Sequence, residues 1–451
     1  MKPGSHKAAF VLICSTVVSI CMSMVCQAQQ ESSFKLTLHD AIQRALQANL
    51  NALLAQSHVD EAEGARQRSL SAALLPRVNA ETYANLQNRN LRAFGLSVPG
   101  LPVPGVVGPL SNYDARIYAQ QNVLDLATYR TFKASEIALE TSKLDERDAR
   151  DLIVRTTATL YLGAQTAASR ADSAQARVTD STTLLKLATD KHGAGTATGV
   201  DVLRAQVQLA NDQQALLVAQ NDLKQVLLAL ERQMGMSPGT RLELAEPLQF
   251  RVLNEPRPEV LLQSALQVRA DYLSLAKQRE TLLEQQRANR ARYYPKISVN
   301  GNIGGLGRSI GGMETTGLIQ GQVDFTVFDR DREGEAKQLA SHIKRIDAQI
   351  EDLQRGVDQE IRQALLDLDS AAQQVNVAGQ GRELAHRELT LSQDRFQTGT
   401  ANNIEVVTAQ DAMARAEENY IVAVTRHVDA KCSLARALGD TEKNIQQFLR
   451  N

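Results

Sequence analysis

Tryptophan is absent from this chain of 451 residues, and aromatic residues make up only 4% of it. The chain also lacks an excess of either charge, because 50 lysines and arginines balance 51 aspartates and glutamates for a net charge of −1. Nucleic-acid-binding proteins carry a basic excess, so this balance gives no support to that class. Hydrophobic residues make up 43% of the chain, which excludes a disordered protein.

Proline is missing from two long stretches, residues 110–237 and 296–451, although the chain contains 11 prolines. Proline in a helix interior costs ~3 kcal/mol. Both stretches are therefore free to form long helices, which excludes a loop-rich or collagen-like chain.

Cysteine is equally scarce, and three of the four cysteines lie within the first 26 residues. The fourth, Cys432, lies in an Ala/Leu-rich segment with helical character. One cysteine cannot form an intramolecular disulfide framework. We therefore predict that Cys432 is a small, buried core residue.

The amino end has the pattern of an export signal. Lys2 and Lys7 precede the apolar run Ala8–Val25, and a small-residue cleavage site ends at Ala28. These features predict a secretory signal peptide over residues 1–28.

Two other interpretations of the amino end stay open. Eighteen apolar residues approach the length of an uncleaved anchor helix. Cys21 or Cys26 could also be lipidated, although bulky Ile20 and Val25 stand where a lipidation motif has a small residue. No comparable apolar run follows, so no transmembrane helix is predicted in the mature chain.

Short motifs occur twice in the chain at nearly constant spacing. The motifs at 74–78, 123–125, 195–202 and 232–235 recur at 293–297, 327–329, 399–406 and 436–439. The repeat predicts a duplicated half-structure rather than a solenoid. The predicted boundaries are a first repeat at 29–235, a linker at 236–258, a second repeat at 259–439 and a tail at 440–451.

Each half contains two segments in which apolar and polar residues alternate, and this period of two is typical of strands. Strands of ~10 residues can cross a bilayer when tilted; a half-buried hairpin on a soluble core is the alternative. The predicted strands cover about 77–92, 111–124, 296–306 and 316–328.

Helices are predicted before, between and after these strands. One covers about residues 38–73, and two much longer ones cover 126–190 and 330–396. At 1.5 Å per residue each long helix would measure ~100 Å, which indicates a periplasm-spanning or coiled-coil structure.

A seven-residue repeat follows each long helix and predicts left-handed supercoiling. Alanine in the second repeat allows helix axes to approach closely, and lateral assembly with further chains would cover both rows. The rows are Val202, Leu209, Leu216, Leu223 and Leu230 in the first half and Ala409, Ala416, Ala423, Ala430 and Ala437 in the second.

Enzyme motifs are missing from the sequence. The seven histidines are scattered without metal-ligand spacing. The Gly301–Ser309 segment lacks the Gly-Lys-Ser/Thr ending of a phosphate loop and is expected to be a hairpin. Glycines at 193, 195 and 399 are expected to end helices. We therefore predict no enzyme activity, no cofactor and no metal site.

The duplicated unit, the prolines at 76 and 295 before paired strands, and the Arg395–Glu405 segment before a heptad helix together resemble the TolC outer-membrane efflux family. This resemblance covers nearly the whole mature chain. It implies an α+β membrane protein that forms a homotrimer, in which four strands per protomer close one 12-stranded outer-membrane β-barrel. The barrel would continue into a long periplasmic α-helical coiled-coil barrel.

The resemblance also implies a periplasmic aperture ringed by acidic residues. Asp201 and Glu405 occupy the acidic positions of the two repeats, whereas Thr408 stands where the family has a further aspartate. Ala401 replaces an arginine that restrains the closed state, and Phe396 stands where the family can carry a gating tyrosine. Each acid could equally be an ordinary helix N-terminal residue favoured by the dipole.

The helical turns at 191–200 and 397–404 are expected to dock a periplasmic adaptor through Gly195, Thr196, Gly399 and Thr400. The resemblance implies a passive outer-membrane exit duct for an inner-membrane RND, ABC or MFS transporter, in an efflux or type I secretion system. A periplasmic coiled-coil scaffold without a pore and an exported enzyme remain alternatives.

Overall fold

The computed structural model describes residues 34–91, 93, 95, 105–240, 242–247, 250, 251 and 258–450. The predicted signal peptide, with Cys21 and Cys26, lies outside the described residues, as do residues 96–104 of the Pro/Gly-rich loop. The strands are β1 (Phe34–Leu36), β2 (Arg77–Asn90), β3 (Val106–Leu124), β4 (Leu242–Leu244), β5 (Lys296–Gly307) and β6 (Met313–Asp324). The helices are α1 (Leu38–Ala48), α2 (Leu50–Leu74), α3 (Leu126–Gly193), α4 (Gly199–Gln233), α5 (Pro258–Val268), α6 (Ala270–Ala291), α7 (Asp331–Thr398), α8 (Asn403–Leu438) and α9 (Thr441–Arg450).

The two long helices are confirmed. α3 and α7 each contain 68 residues, which corresponds to about 100 Å at 1.5 Å per residue. Each runs two or three residues past the predicted carboxyl end. By the criterion of length and hydropathy, none of the helices within the described residues qualifies as a membrane span.

The single helix predicted over 38–73 was wrong, because the chain forms α1 and α2 with a break at Asn49. This residue has an extended backbone (φ −69°, ψ 134°), and its N–H bonds to the carbonyl of Ala45 at 2.9 Å. The Asn49 side chain donates to the carbonyl of Gln233 at 3.0 Å. The break therefore fixes α1 to the end of α4.

Four antiparallel strands form one sheet in the order β2-β3-β5-β6. β2 and β5 match the predicted strands closely, and β3 begins five residues before the predicted 111. The prediction of a strand over 316–328 was wrong at both ends. β6 stops at Asp324, because that residue pairs with the first residue of β5, Lys296, and no strand residue lies opposite 325–328.

The two faces of this sheet differ in polarity. On one face, cross-strand neighbours are polar or charged, as in the pairs Tyr83–Asp114 and Tyr118–Asn302. The opposite face carries small and apolar residues. Its larger members, most of them exposed, are Val78, Leu86, Ile117, Ile297, Val299, Ile303, Ile319 and Val323.

A charged pair lies on the polar face of the sheet. Asp114 is only 1% exposed, and it accepts hydrogen bonds from the Tyr83 hydroxyl at 2.8 Å and the Arg116 Nε at 2.6 Å. Arg116 lies two residues further along β3 and so shares this face. These bonds cover the carboxylate, and the bond from Tyr83 joins β2 to β3 at one register.

The chain divides into two units. The first contains Met1–Asn49, Thr156–Phe250 and Ala371–Asp429, and the second contains Leu50–Arg155, Arg251–Ser370 and Ala430–Asn451. In the first unit, the two-stranded parallel sheet β1–β4 packs into a core with the buried side chains of Tyr161, Leu230 and Met234. The Tyr161 hydroxyl donates to the carbonyl of Leu36 at 3.0 Å.

A buried arginine organises part of the second unit. Arg269 donates to Asp271 through two nitrogens at 3.0 and 2.6 Å, and to Glu360 at 2.6 Å. It also reaches the carbonyl of Ala437 at 3.2 Å. Because a buried charge is tolerated only when it is paired and hydrogen-bonded, this arrangement fixes the end of α8 against the start of α6.

The predicted tail is the helix α9, whose Ile445 and Phe448 side chains are buried. The buried Lys431 ammonium donates to the carbonyl of Phe448 at 2.9 Å. Burial, together with the nearby charge of Arg251, lowers the pKa of Lys431. Cys432 is also buried, which confirms its prediction as a core residue.

The heptad rows differ in burial. Of the five alanines on α8, all except Ala416 are buried within the chain. Of the five residues in the row on α4, Leu230 is buried, and Val202, Leu209, Leu216 and Leu223 are half-buried. The alanine row is therefore covered by the chain itself, whereas the leucine row keeps apolar area to bury.

We expect Gly235→Ala to destabilise the protein by about 2–4 kcal/mol. Gly235 has a φ of +66°, and an added Cβ would lie 2.8 Å from the Ala48 Cβ. Gly239→Ala is the matched control, because φ is +89° there but nothing lies within 4 Å of the added atom. Thermal unfolding of the purified variants should show the larger loss for Gly235→Ala; equal losses would contradict the contact with α1.

Candidate functional site: the helical turns at 194–198 and 399–402

The turn between α3 and α4 is closed by a glycine in the left-handed region. Gly195 has a φ of +75°, and its N–H bonds to the carbonyl of His192 at 3.0 Å. The N–H of Thr196 bonds to the carbonyl of Lys191 at 2.9 Å. This pair of bonds is the Schellman motif, so the predicted role of Gly195 as a helix-ending residue is confirmed.

The turn between α7 and α8 has the same geometry. Gly399 has a φ of +82°, and its N–H bonds to the carbonyl of Phe396 at 3.2 Å. The N–H of Thr400 bonds to the carbonyl of Arg395 at 2.9 Å. The hydroxyl of Thr400 also donates to the Arg395 carbonyl at 3.2 Å, as Thr196 does to Lys191 at 3.1 Å. Both turns are thus rigid hydrogen-bonded structures.

Asp201 is the third residue of α4, and its carboxylate turns back to the residue before the helix. It accepts hydrogen bonds from the Thr198 N–H at 3.0 Å and the Thr198 hydroxyl at 2.7 Å. These two bonds, with Arg204 nearby at 3.8 Å, hold the pKa of Asp201 below its ordinary value. Asp201 therefore acts as a capping acid at the start of α4, which is the alternative role that the sequence left open for it.

Glu405 is the third residue of α8 and pairs differently. Its Oε2 lies 3.0 Å from the Nη1 of Arg395, near the end of α7. The Glu405 N–H bonds to the Asn402 side chain at 3.3 Å. The negative charge of Glu405 is thus balanced inside the same turn by an arginine that sequence reasoning did not assign to the site.

Phe396, predicted at a gating position, is buried within the first unit. Its ring packs in a cluster with Leu184, Ala188 and Val406, and the Lys191 ammonium lies 5.4 Å from the ring centroid. Phe396 therefore stabilises the helix ends that carry both turns.

The two remaining predicted aperture residues carry no charge. Ala401 is half-buried, and its N–H bonds to the carbonyl of Arg395 at 3.2 Å. Thr408 is exposed on α8, and its hydroxyl donates to the carbonyl of Ile404 at 2.8 Å. Glu405 is thus the one carboxylate among the four predicted aperture residues at 396–408.

Asn403, the first residue of α8, links the helices that follow the two turns, and the sequence did not predict this role. Its side chain is fully buried and donates to the backbone carbonyl of Asp201 at 2.7 Å. This bond fixes the start of α8 to the first turn of α4. The sequence signal was slight, because an asparagine at the start of a helix is usually interpreted as a cap.

Within the described parts of the chain, no three histidine, cysteine or acidic side chains come close enough to hold a metal ion. The turns instead present neighbouring charges of both signs, Lys191 and Arg395 with Asp201 and Glu405.

The capping bonds of Asp201 make the first turn sensitive to acid. A pKa lowered in the folded state means that the stabilisation is present above the unfolded pKa and is lost as pH falls through the folded value. We expect amide protection at Thr198 and Asp201 to fall below about pH 4, measured by hydrogen exchange corrected for its intrinsic pH dependence. Thr198→Ala should cost about 1 kcal/mol of local stability at neutral pH.

Asp201→Asn should remove this pH dependence, whereas Asp222→Asn, an exposed substitution on the same helix, should preserve it. An unchanged acid response in Asp201→Asn would show that another group controls the turn.

Comparison with known proteins gives the family of the chain. The family model described as outer membrane efflux protein matches residues 41–236 and 261–440. A search of the curated proteins found no match. The fold is similar to a membrane protein from Pseudomonas aeruginosa, with 18% identity and a TM-score of 0.77 over 89% of this chain and 90% of that one.

Two outer membrane channels have the same fold. CmeC of Campylobacter jejuni is 16% identical, with a TM-score of 0.75 over 91% of this chain and 89% of that one. The open state of MtrE of Neisseria gonorrhoeae is 18% identical, with a TM-score of 0.73 over 89% of this chain and 88% of that one. Because the family model matches most of the chain, the protein belongs to the TolC-like outer membrane efflux protein family, as its repeated motifs predicted.

Proposed function

We propose that this protein is the outer-membrane channel of a tripartite efflux or type I secretion system. It would be a passive duct for substrates that an inner-membrane pump delivers through a periplasmic adaptor, and it would catalyse no reaction itself. The observation that carries the proposal is the four-stranded sheet, which has one apolar face, one polar face and, within the described parts of the chain, two unpaired edges.

A position in the lipid bilayer accounts for the different polarity of the two faces and for the unpaired edges of the sheet. Its apolar face suits contact with acyl chains, and its polar face suits a water-filled lumen. Unpaired strand edges are not tolerated in hydrocarbon, so β2 of one protomer would pair with β6 of the next. Three protomers with four strands each then give a closed barrel of 12 strands.

The long helices support a periplasmic extension. α3 and α7, at about 100 Å each, would form an α-helical coiled-coil barrel with α4 and α8. This arrangement fits two sequence repeats at 29–235 and 259–439, joined by an equatorial segment at 236–258 and followed by the tail at 440–451. The signal at 1–28 would direct the chain out of the cytoplasm.

The two helical turns would form the periplasmic end of the duct. Gly195, Thr196, Gly399 and Thr400 would contact the adaptor, and the pump behind it would be an RND, ABC or MFS transporter. Asp201 and Glu405 would surround the aperture, with Thr408, Ala401 and Phe396 nearby. The Arg395–Glu405 pair means that the net charge there is smaller than the acidic side chains alone suggest.

A pair of neighbouring substitutions on β6 tests the membrane orientation. Ile319 lies on the apolar face and is exposed, whereas Gln320 lies on the polar face. Ile319→Arg should cost about 2–4 kcal/mol in the bilayer and reduce the amount of protein assembled in the outer membrane, measured by membrane fractionation. Gln320→Arg, the matched control, should assemble normally. Equal assembly of both variants would count against a lipid-facing sheet.

Planar-bilayer recordings of the purified protein test conduction and the role of the turn charges. Arg395→Gln leaves Glu405 unbalanced and should raise cation selectivity about twofold at low salt, with less effect as ionic strength rises. Glu405→Gln leaves Arg395 unbalanced and should lower both cation selectivity and block by cations. Glu351→Gln, an exposed substitution on α7, is the control for the change of charge.

Two results would decide against these assignments. A protein that forms no pore would favour the periplasmic coiled-coil scaffold. A pore whose cation selectivity and cation block are unchanged in Glu405→Gln would place that residue away from the conduction path.

A further inference from the structure

A small cavity of about 20 Å³ lies inside the first unit, between α3, α4, α7 and α8. Leu389 and Met413 supply part of its lining. The polar part of the lining, which we name the Gln410 cluster, consists of Arg177, Asp180, Ser181, Gln208, Asp212 and Gln410.

Gln410 is the central residue of this cluster. Its side chain is only 6% exposed, and neither its Nε2 nor its Oε1 has a hydrogen-bond partner among the described residues. Exchanging the amide nitrogen and oxygen would not change this, since both atoms lack partners. A buried amide without hydrogen bonds is unfavourable because it has lost its contacts with water.

Arg177 and Asp212 face the same cavity. The Nε of Arg177 is buried without a hydrogen-bond partner in the described part of the chain, and it lies 4.0 Å from the Oδ1 of Asp212. That distance is too long for a hydrogen bond. The Oδ2 of Asp212 is occupied, because it accepts from Gln208 at 3.3 Å and from the Ser181 hydroxyl.

We propose that one water molecule binds in this cavity and links Arg177, Asp212 and Gln410. The cavity volume meets the ~10–15 Å³ that a buried water requires. A water can accept from the Arg177 Nε–H or the Gln410 amide, and it can donate to the Asp212 Oδ1 or the Gln410 Oε1. Buried waters usually make about three such bonds.

A metal cation suits this cavity less well than a water does. The lining presents N–H donors from Arg177 and Gln410, which would repel a cation. Of the two carboxyl groups in the lining, Asp212 already has a guanidinium nearby and two hydrogen-bond donors. Burial, together with the charge of Asp212, raises the pKa of the other carboxyl group, Asp180, which favours its neutral form. A completely dry cavity is the usual state only where the lining is apolar.

The water would fix the position of α8 relative to α3 and α4. On the side towards the helical turns, the neighbouring core is apolar and contains Leu184, Ala188 and Val406. Apolar side chains can pack in more than one register, whereas one hydrated polar cluster permits a single alignment. This inference concerns helix packing and does not depend on conduction by the protein.

Gln410→Met tests the proposal, because methionine keeps the unbranched shape and removes both polar ends. If no water is bound, the substitution removes two unpaired polar atoms and should slow local hydrogen exchange. If the water is bound, it loses a partner, and exchange at 405–414 and 208–214 should accelerate about tenfold. Gln214→Met, an exposed substitution on α4, should change neither rate.

A high-resolution structure of the full-length protein in detergent provides a second measurement that requires no variant. We expect an ordered density peak within hydrogen-bond distance of the Gln410 side chain, unchanged when sodium is replaced by thallium. The proposal is overturned if the density lacks this peak, if the peak shows thallium scattering, or if Gln410→Met slows exchange.

Discussion

The two unpaired edges of the four-stranded sheet are the constraint on which the rest of the molecule depends. Among the residues that the structure describes, β2 and β6 each have one neighbouring strand, and they are not neighbours of each other. Each unsatisfied backbone group would cost several kcal/mol in hydrocarbon. Under the proposed function, a single protomer is therefore an incomplete membrane protein, and its polar face becomes a lumen only when further copies close the barrel.

Several charged side chains are balanced by partners close to them. Arg269 is surrounded by two carboxylates and a carbonyl, Asp114 by a tyrosine and an arginine, and Glu405 is paired with Arg395. Because most of these partners come from different strands or helices, each charge is also a positional restraint. The Gln410 cluster differs from these pairs, since its protein partners among the described residues do not complete its hydrogen bonds.

Much of this fold could be predicted from the sequence, because proline and glycine positions limit the long helices directly. The glycines at 195 and 399 ended helices as predicted. The break at Asn49 was missed, since it depends on a hydrogen bond to a residue 184 positions away. The end of β6 was missed because alternation continues through residues 325–328, whereas pairing ends with the first residue of β5.

The candidate site was less predictable, for a related reason. Helical spacing identifies side chains three or four residues apart, but Arg395 and Glu405 are joined across a turn. The apolar Phe396 could have lined an opening or filled a core, and only the convergence of several helix ends determines that it is buried. Asn403 acts through a backbone carbonyl, which no sequence pattern marks.

The half-buried row of Val202, Leu209, Leu216 and Leu223 has a consequence for how the protein must be measured. Apolar area that is covered only by a second chain contributes to stability through mass action. Under the proposed function, the unfolding temperature should therefore rise with protomer concentration, and a value obtained from a dilute sample would describe dissociation together with unfolding.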